Sequence, residues 1–420
     1  MEKVYLLSLE KYNPQQISTG LQKAAQFLGI SLEQKSTVLL ADCPWTHPKY
    51  APHAHTHPQF IEGVVNAFNS TKVTVTANSL PNFPTRYSFK NAGYNSIHLR
   101  SNASILPLDE TITHKVTLEN GKVMKEAKLP AAWLNASFRV LMPKLRQSTV
   151  VPFAGSLRQL QALLPQNEQL KDSHLLPEKM VDLLGIAPVD LIAVDAIQAL
   201  HRGGEVSGQP VDLGVMIVGV NPIAVDMICA VALGLDPSNV DFLREAASRG
   251  YTPASLKQIE IIGDVSLSEL RGRAAKVELV DSNPVAFHVP DQVKVIRSEK
   301  ARQAGVSGML ADVLCMLKNA GVSMKSASYT SIVIGVVNEI RPGKDEYSTI
   351  IFMDDTSRGD FKGYGRIVRL SGRNIPLSQI ISDVPYAMKI INLKAEFGVN
   401  MMLVELFSRL RRMLFPWKSV

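Results

Sequence analysis

Apolar residues in the first part of the chain form short runs that alternate with segments of helical spacing. Residues 14–29 and 59–69 repeat apolar side chains at helical spacing, whereas residues 37–42 and 72–78 form the apolar or alternating runs typical of strands. The order strand, loop, helix, strand indicates a βαβ unit, which builds a parallel sheet. The pattern therefore predicts an α/β fold with a mostly parallel or mixed sheet and helices on both faces.

The stretch 189–237 organises the rest of this pattern. It contains apolar runs at 191–194 and 215–220, which predict two buried strands, and the glycine-rich loop 202–208 between them. The step Asn221-Pro222 then opens an almost entirely apolar segment, which predicts a buried helix. Strands, a tight loop and a buried helix that carry a few acids together suggest a functional site.

The chain changes character near residue 265, because turn signals replace the regular alternation of strands and helices. We predict four parts: a family-like α/β domain over 1–265, a linker or border over 266–300, a small α/β or α+β region over 301–395, and a basic amphipathic helix over 396–420.

Composition narrows the class of protein. The chain has 420 residues, 46% apolar residues and a net charge of +7, which describes an ordinary globular protein with a large core. Lysine and arginine are scattered, so no nucleic-acid-binding stripe is predicted. The N-terminus has the pattern of a first strand and not of a signal peptide, and no apolar run is long enough to span a membrane. We therefore expect a cytoplasmic protein.

The loop from residue 43 to residue 58 concentrates side chains that bind metals. Cys43, His47, His55 and His57 lie there, together with His53. Imidazole and thiolate suit zinc, iron, nickel or copper, so the first four are candidate metal ligands. The alternative is a polar, proline-rich loop whose last histidine begins a helix.

Lys144 and Arg146 stand at the end of the predicted strand 136–147. Two cations at a strand end, opposite a helix N-terminus, would hold a carboxylate or a phosphate. We therefore assign Lys144 a catalytic role and Arg146 a ligand-binding role. The alternative is a strand end with solvated charges.

Asp195 and Asp226 are acids embedded in apolar sequence, and both are candidate catalytic residues. A carboxylate buried in a helix must be paired, hydrogen-bonded or shifted in pKa. Asp226 could cap the amides of Gly203 and Gly204, pair with Lys144 or bind a metal, and a structural clamp is its commonest role. Gly203 and Gly204 are candidate ligand-binding positions, although a tight turn explains them equally well.

The C-terminal segment, residues 397–420, has an apolar face of Leu403, Phe407, Leu410 and Leu414 and a basic tip. The simplest interpretation is a helix that packs on the domain or lies in an oligomer interface. The more specific alternative is a helix that lies on a membrane surface, with Trp417 and the arginines at the lipid headgroups.

Five motifs follow one another in the order of a known family. They are THPQFIEGVVNAF (56–68), RVLMPKLR (139–146), VDAIQAL (194–200), GGEVSGQP (203–210) and NPIAVDMICAVALGLDP (221–237). The pattern resembles the family called domain of unknown function 362, over about residues 36–265. The resemblance implies an association with ferredoxin-type iron–sulfur domains and matches Lys144 to a lysine of the family.

Several positions depart from the family pattern. Ala41 to Pro44 replace its Lys-Pro-Asn, Arg146-Gln147 replace its continuation after the lysine, and Ala154 to Leu157 replace its Lys-Asn-Leu-Phe-Gly. Residues 266–420 lack the cysteine runs of a ferredoxin domain. The chain is therefore identified as a divergent member.

Two functions remain open from the sequence. The first is a metal- or iron–sulfur-dependent enzyme that acts on a small anionic substrate, with a separate protein as redox partner. The second is a non-catalytic ligand-binding or scaffold subunit derived from the same family. The sequence leaves the cofactor open between a transition metal and an iron–sulfur cluster, and it does not indicate an oligomeric state.

Overall fold

The computed structural model describes residues 1–97, 102–148, 150–279, 292–298, 304–319, 322, 327–342, 348–372, 375–390 and 394–414. A ten-stranded mixed sheet with helices on both faces forms the larger unit, and a four-stranded sheet forms the smaller one. The predicted α/β fold class is therefore confirmed.

The strands and helices are numbered in chain order. The strands are β1 (Glu2–Ser8), β2 (Ser36–Ala41), β3 (Lys72–Ala77), β4 (Ala103–Pro107), β5 (Thr113–Thr117), β6 (Glu126–Pro130), β7 (Phe138–Met142), β8 (Lys144–Gln147), β9 (Phe153–Ala154), β10 (Leu191–His201), β11 (Gln209–Gly219), β12 (Ile259–Gly263), β13 (Val293–Arg297), β14 (Thr330–Ile340), β15 (Thr349–Phe361) and β16 (Arg366–Leu370). The helices are α1 (Pro14–Leu28), α2 (Pro58–Ala67), α3 (Thr85–Asn91), α4 (Ala131–Leu134), α5 (Ser156–Gln159), α6 (Gln166–Gln169), α7 (Leu176–Leu184), α8 (Pro222–Ala232), α9 (Asp241–Ser248), α10 (Leu267–Ala274), α11 (Ala304–Asn319), α12 (Leu377–Ala387) and α13 (Lys394–Leu414).

The larger sheet has the strand order β12-β1-β11-β10-β7-β2-β3-β4, with β8 paired to β10 and β9. Strands β10, β7, β2, β3 and β4 run parallel to one another. Strand β11 is antiparallel to both of its neighbours, β1 and β10. Ala41 at the end of β2 pairs with Met142 at the end of β7. The residues that follow these two strands therefore meet at one edge of the sheet.

Helices pack against both faces of the larger sheet. On one face, Ile17 of α1 and Phe60 of α2 join the apolar side chains of the strands, and on the other face Leu157 of α5, Met180 of α7 and Ile228 of α8 do so. Because both faces are covered, the central strands are apolar on both sides, as parallel strands between helices usually are.

The smaller sheet has the order β13-β14-β15-β16 and is parallel throughout. Its apolar core continues into the larger unit, because Trp45, Tyr50 and Phe83 pack with Leu314 of α11 and Ile380 of α12. The histidine-rich loop thus contributes two aromatic side chains to the contact between the units.

The structure differs from the sequence prediction at two places. Helix α10 packs Leu270 into the larger core and β13 belongs to the smaller sheet, so the segment between the units is narrower than the predicted 266–300. Residues 280–291, within that segment, lie outside the described residues. The predicted strand 136–147 is divided into β7 and β8 at Pro143, which has no N–H to donate to a strand ladder.

Asp226 joins α8 to the start of α5. Its carboxylate is fully buried and accepts hydrogen bonds from the backbone N–H of Ser156 (2.6 Å) and of Leu157 (2.9 Å). Gly155 precedes this contact, and a side chain there would collide with the Asp226 carboxylate. The structural clamp considered from the sequence is therefore present, but it binds the amides of α5 and not those of Gly203 and Gly204.

Replacing Asp226 with alanine should lower the free energy of unfolding by about 2–4 kcal/mol, because two buried N–H groups lose their acceptor. Burial raises the pKa of Asp226 from 3.8 to about 6. A raised pKa in the folded state adds stability at low pH that disappears as the pH rises through about 6. The loss should therefore be largest below pH 4 when measured by denaturant unfolding.

Asp236→Ala is the matched control, because Asp236 accepts a hydrogen bond from the N–H of Ser238 at an exposed helix start. It should cost about 1 kcal/mol or less. Equal losses in the two variants would contradict the clamp.

Helix α13 leaves a large apolar face uncovered. Ser408 is buried and donates a hydrogen bond to Glu110 (2.8 Å), which places one side of the helix on the larger unit. Six large apolar side chains of the helix are between 41% and 78% exposed: Leu403, Leu406, Phe407, Leu410, Met413 and Leu414. Among the described residues, no helix combines the length and apolar character needed to cross a membrane.

Peripheral membrane contact through this face remains a prediction, because an apolar face with arginines beside it suits a surface of anionic lipids. The full chain should pellet with vesicles that contain anionic lipids. The variant Phe407→Ser/Leu410→Ser should pellet several-fold less, whereas Phe27→Ser, at an equally exposed apolar residue of α1, should pellet like the natural chain. Lipid-independent sedimentation of all three proteins would contradict the prediction.

Candidate functional site

The site lies where β2, β8 and β10 come together. Asp42 directly follows β2, Lys144 and Arg146 belong to β8, and Asp195 lies in β10. In open α/β sheets, ligands bind at the carboxyl ends of parallel strands. The fold therefore places these four charged side chains at the edge of the sheet where a ligand is expected.

Lys144 and Asp195 form a buried ion pair across parallel strands. The two residues are direct partners in the pairing of β8 with β10, and the N–H of Asp195 donates to the carbonyl oxygen of Pro143. Lys144 Nζ lies 3.1 Å from Asp195 Oδ2, and the residues are 2% and 0% exposed. The break at Pro143 thus allows β7 and β8 to pair with successive parts of the same strand.

Tyr12 and His57 complete the surroundings of Asp195. The Tyr12 hydroxyl accepts a hydrogen bond from Lys144 Nζ (2.7 Å) and donates one to Asp195 Oδ1 (2.9 Å). The backbone N–H of His57 donates to Asp195 Oδ2 (3.0 Å). The rings of Tyr12 and His57 stack with their centroids 3.8 Å apart, and both residues are half-buried. They form the outer edge of the site, and Lys144 forms its floor.

Burial determines the protonation of these groups. It lowers the pKa of Lys144, against the opposing effect of Asp195, and it raises the pKa of Tyr12. Burial also lowers the pKa of His57 to about 4 and that of His55 to about 3, so both imidazoles are neutral near pH 7. His57 Nδ1 accepts the N–H of Gln59 at the start of α2, which leaves the ring proton on Nε2.

Arg146 forms a second group of charges beside the first. Its guanidinium donates to Asp42 Oδ2 (3.1 Å) and to Glu205 Oε1 (2.9 Å), and the residue is 2% exposed. Lys144 and Arg146 are two positions apart on one strand, so their side chains point to the same side of the sheet. Arg158 of α5 lines a small cavity together with Arg146 and Asp42.

The candidate metal ligands do not form a ligand group. His47 stacks on Tyr50, with ring centroids 4.5 Å apart, in the part of the loop that packs on the smaller unit. Cys43 is buried, and burial raises the pKa of its thiol well above the ordinary value. His55 is buried, and His57 is the N-cap of α2. No group of three or more His, Cys, Asp or Glu residues in the described part of the chain is arranged to hold a metal ion.

The glycine-rich loop is held by protein groups. The N–H of Gly203 donates to Gln147 Oε1 (3.2 Å), and the N–H of Gly204 donates to Ser207 Oγ (3.1 Å). Ser207 in turn donates to Asp312 of α11 through its hydroxyl (2.7 Å). The loop therefore presents Glu205 to Arg146 and contacts the smaller unit, and the two glycine amides already have acceptors.

Sequence reasoning missed Tyr12, Glu205 and Arg158. Tyr12 lies between β1 and α1, a loop at the end of a predicted strand, and this position was a usable signal. Glu205 and Arg158 had no such signal, since each is a single charged residue in a turn or short helix. Their place beside Arg146 is visible only once the chain is folded.

Comparisons with solved structures give only distant matches. Two solved structures are similar to this chain. One is the lactate racemase apoprotein from Thermoanaerobacterium thermosaccharolyticum, with 12% identity and a TM-score of 0.34 over 55% of this chain and 57% of that chain. The other is a protein from Thermotoga maritima, with 10% identity and a TM-score of 0.29 over 70% of this chain and 65% of that chain. Both matches span less than two thirds of the other protein, and TM-scores this low support no argument about function. No curated protein matches the sequence.

The family comparison agrees with the motifs. The model of the domain of unknown function DUF362 matches residues 39–231, a range that contains Asp42, the histidine-rich loop, Lys144, Asp195 and Asp226. Over residues 39–231, which are less than half of its length, the chain matches the DUF362 family.

Proposed function

We propose that the protein is an enzyme that transfers a proton to or from a small anionic substrate, with Lys144 as the acid or base. The observation that carries the proposal is the buried amine of Lys144 between Tyr12 and Asp195. Two of its three N–H groups are used by these residues, and the third has no acceptor among the described residues. An ammonium group has three N–H donors, so this third one can donate to a ligand atom.

Each neighbour has a role in this proposal. Asp195 holds both Lys144 and Tyr12 in place, because each of its oxygens accepts from one of them. The Tyr12 hydroxyl accepts from the amine and lies nearer the surface, so it can relay a proton between Lys144 and a bound substrate. His57, neutral and protonated at Nε2, offers a hydrogen bond to an anion at the edge of the site. A lysine with a lowered pKa is better suited to act as a general acid or base near neutral pH.

A metal-dependent form of this function has one specific support. His55 Nδ1 is buried without a hydrogen-bond partner among the described residues, although the nearby Lys144 cation opposes a metal cation there. The iron–sulfur-dependent form has no comparable observation among the described residues. The proton-transfer proposal does not depend on either.

The non-catalytic alternative also has a specific observation in its favour. Asp195 neutralises Lys144, and Asp42 and Glu205 surround Arg146, as in a purely structural network of ion pairs. Such networks also shift pKa values. A direct test of proton transfer separates the two functions.

The test is hydrogen exchange at the carbon next to a carboxylate. The full chain, incubated in D₂O with a series of small carboxylic acids, should speed the loss of that C–H signal in proton NMR spectra for at least one acid. Tyr12→Phe keeps the ring that stacks on His57 and removes the hydroxyl that bonds Lys144 and Asp195, so it should lower the rate by roughly 10²-fold. Running each reaction with and without a chelator, and after adding zinc, iron or nickel, tests the metal-dependent form.

Tyr364→Phe is the matched control, because it removes a tyrosine hydroxyl that bonds only Ser331 of the smaller unit. Its exchange rate should equal that of the natural chain. Absence of exchange with every acid, or an unchanged rate in Tyr12→Phe, would leave ligand binding as the function.

A further inference from the structure

A small polar cavity lies beside the proposed catalytic groups. It has a volume of about 30 Å³ and is lined by Asp42, Pro44, Asn78, Leu80, Arg146, Ala154, Arg158, Gln159, Ala162 and Gln169. A cavity of this size admits a ligand of a few heavy atoms. The cavity shares Arg146 and Asp42 with the site described above.

Four buried polar atoms at this cavity have no hydrogen-bond partner in the described part of the protein. Two are donors, the Nε–H groups of Arg146 and Arg158, and two are acceptors, Asn78 Oδ1 and Gln159 Oε1. Arg146, Asn78 and Gln159 are each at most 5% exposed. Unsatisfied buried groups are few in native proteins, so four around one cavity indicate a missing occupant.

The orientation of the two amides is fixed by their other bonds. Asn78 Nδ2 donates to the carbonyl oxygens of Ala162 (3.0 Å) and Leu164 (2.9 Å), and Gln159 Nε2 donates to that of Leu40 (2.7 Å). Their free atoms are therefore oxygens. The occupant must accept hydrogen bonds from the arginines and donate hydrogen bonds to the amide oxygens.

The charges of the two arginines and their partners further limit which ligand the cavity can bind. Arg146 already has two carboxylate partners, Asp42 and Glu205, whereas the guanidinium of Arg158 makes no ion pair or hydrogen bond within the described residues. Guanidinium groups bind carboxylates strongly and in a fixed geometry. Glu205 and Asp42 attract Arg158 without contacting it, so an anion would supply the direct partner that the described residues do not.

We infer that Arg158, Arg146, Asn78 and Gln159 form a binding site for a small carboxylate that carries a hydroxyl or ammonium group on the neighbouring carbon. The carboxylate binds at Arg158 and Arg146, and the hydroxyl or ammonium donates to the amide oxygens. Naming this ligand as the substrate rests on the proposed function, whereas the binding site does not. Lys144 and Arg146 are two residues apart on β8, so the proposed ligand site and the proposed acid or base lie on the same side of that strand.

Calorimetric titration of the full chain tests the site with glycolate, glycine, acetate and inorganic phosphate as probes. Glycolate or glycine should bind more tightly than acetate, since acetate cannot donate to Asn78 and Gln159. Arg158→Met should weaken that binding about 10-fold or more, as expected for the loss of a hydrogen bond to a charged group. Arg271→Met, at an exposed arginine of α10, should bind like the natural chain.

Thermal unfolding separates a ligand site from a structural role. Arg158 makes no hydrogen bond or ion pair with the described residues, and burial of its charge is unfavourable, so Arg158→Met should unfold at the same temperature as the natural chain or higher in the absence of ligand. A lower unfolding temperature would show that the arginine supports the fold and would overturn the inference. Equal affinity for glycolate, glycine and acetate, preference for phosphate, binding unchanged in Arg158→Met, or no binding of any probe at millimolar concentrations would also overturn it.

The two proposals fail in different ways. If glycolate or glycine binds through Arg158 and no acid exchanges its C–H hydrogen, the binding site stands and the proton-transfer function falls. If exchange occurs and Arg158→Met leaves both binding and exchange unchanged, the function stands and this binding site falls.

Discussion

Opposite charges on Lys144 and Asp195 face each other across neighbouring parallel strands, almost without access to water. Removing one partner of such a pair typically costs about 3–5 kcal/mol, because the other charge remains buried. The pair also requires a particular register of β8 on β10, and Pro143 makes this register possible by ending β7. Position, protonation and hydrogen bonding of Tyr12 and His57 all depend on Asp195 being held there.

The same strand connects the proposed proton transfer to the proposed ligand site. Lys144 leads to Tyr12 and Asp195, and Arg146, two residues later, leads to Asp42, Glu205 and the cavity at Arg158. The clamp between Asp226 and the start of α5 fixes the helix that carries Arg158. Acids of the family motifs therefore hold the site together, while the proposed ligand site combines Lys144 and Arg146 of a motif with Arg158, which lies outside the motifs.

The sequence predicted the fold better than the site. Periodicity identified α1, β2, α2 and β3 almost to the residue, because regular burial leaves a regular pattern. It also selected Lys144, Arg146, Asp195 and Asp226, since charges in apolar sequence are conspicuous. Periodicity could not identify the partner of each charge. Lys144 was considered as a partner of Asp226, but it pairs with Asp195, because the strand register decides which residues meet.

The histidine-rich loop shows a second limit of sequence reasoning. Histidines close together in sequence predicted a metal site, but Trp45 and Tyr50 draw part of the loop into a core completed by residues more than 250 positions later. Glu205 and Arg158 carried no local signal, since their importance comes from neighbours that are distant in the chain. Contacts of this kind become visible only in the folded protein.

The central claim is that burial prepares the amine of Lys144 for proton transfer. NMR titration of the chain labelled with ¹³C at lysine Cε, with the Lys144 signal identified by its loss in Lys144→Met, measures the pKa of this amine directly. The account predicts a pKa below the ordinary lysine value of 10.5, because burial outweighs the attraction of Asp195. A Lys144 amine that titrates at or above 10.5 would contradict the account and make the pair a structural one.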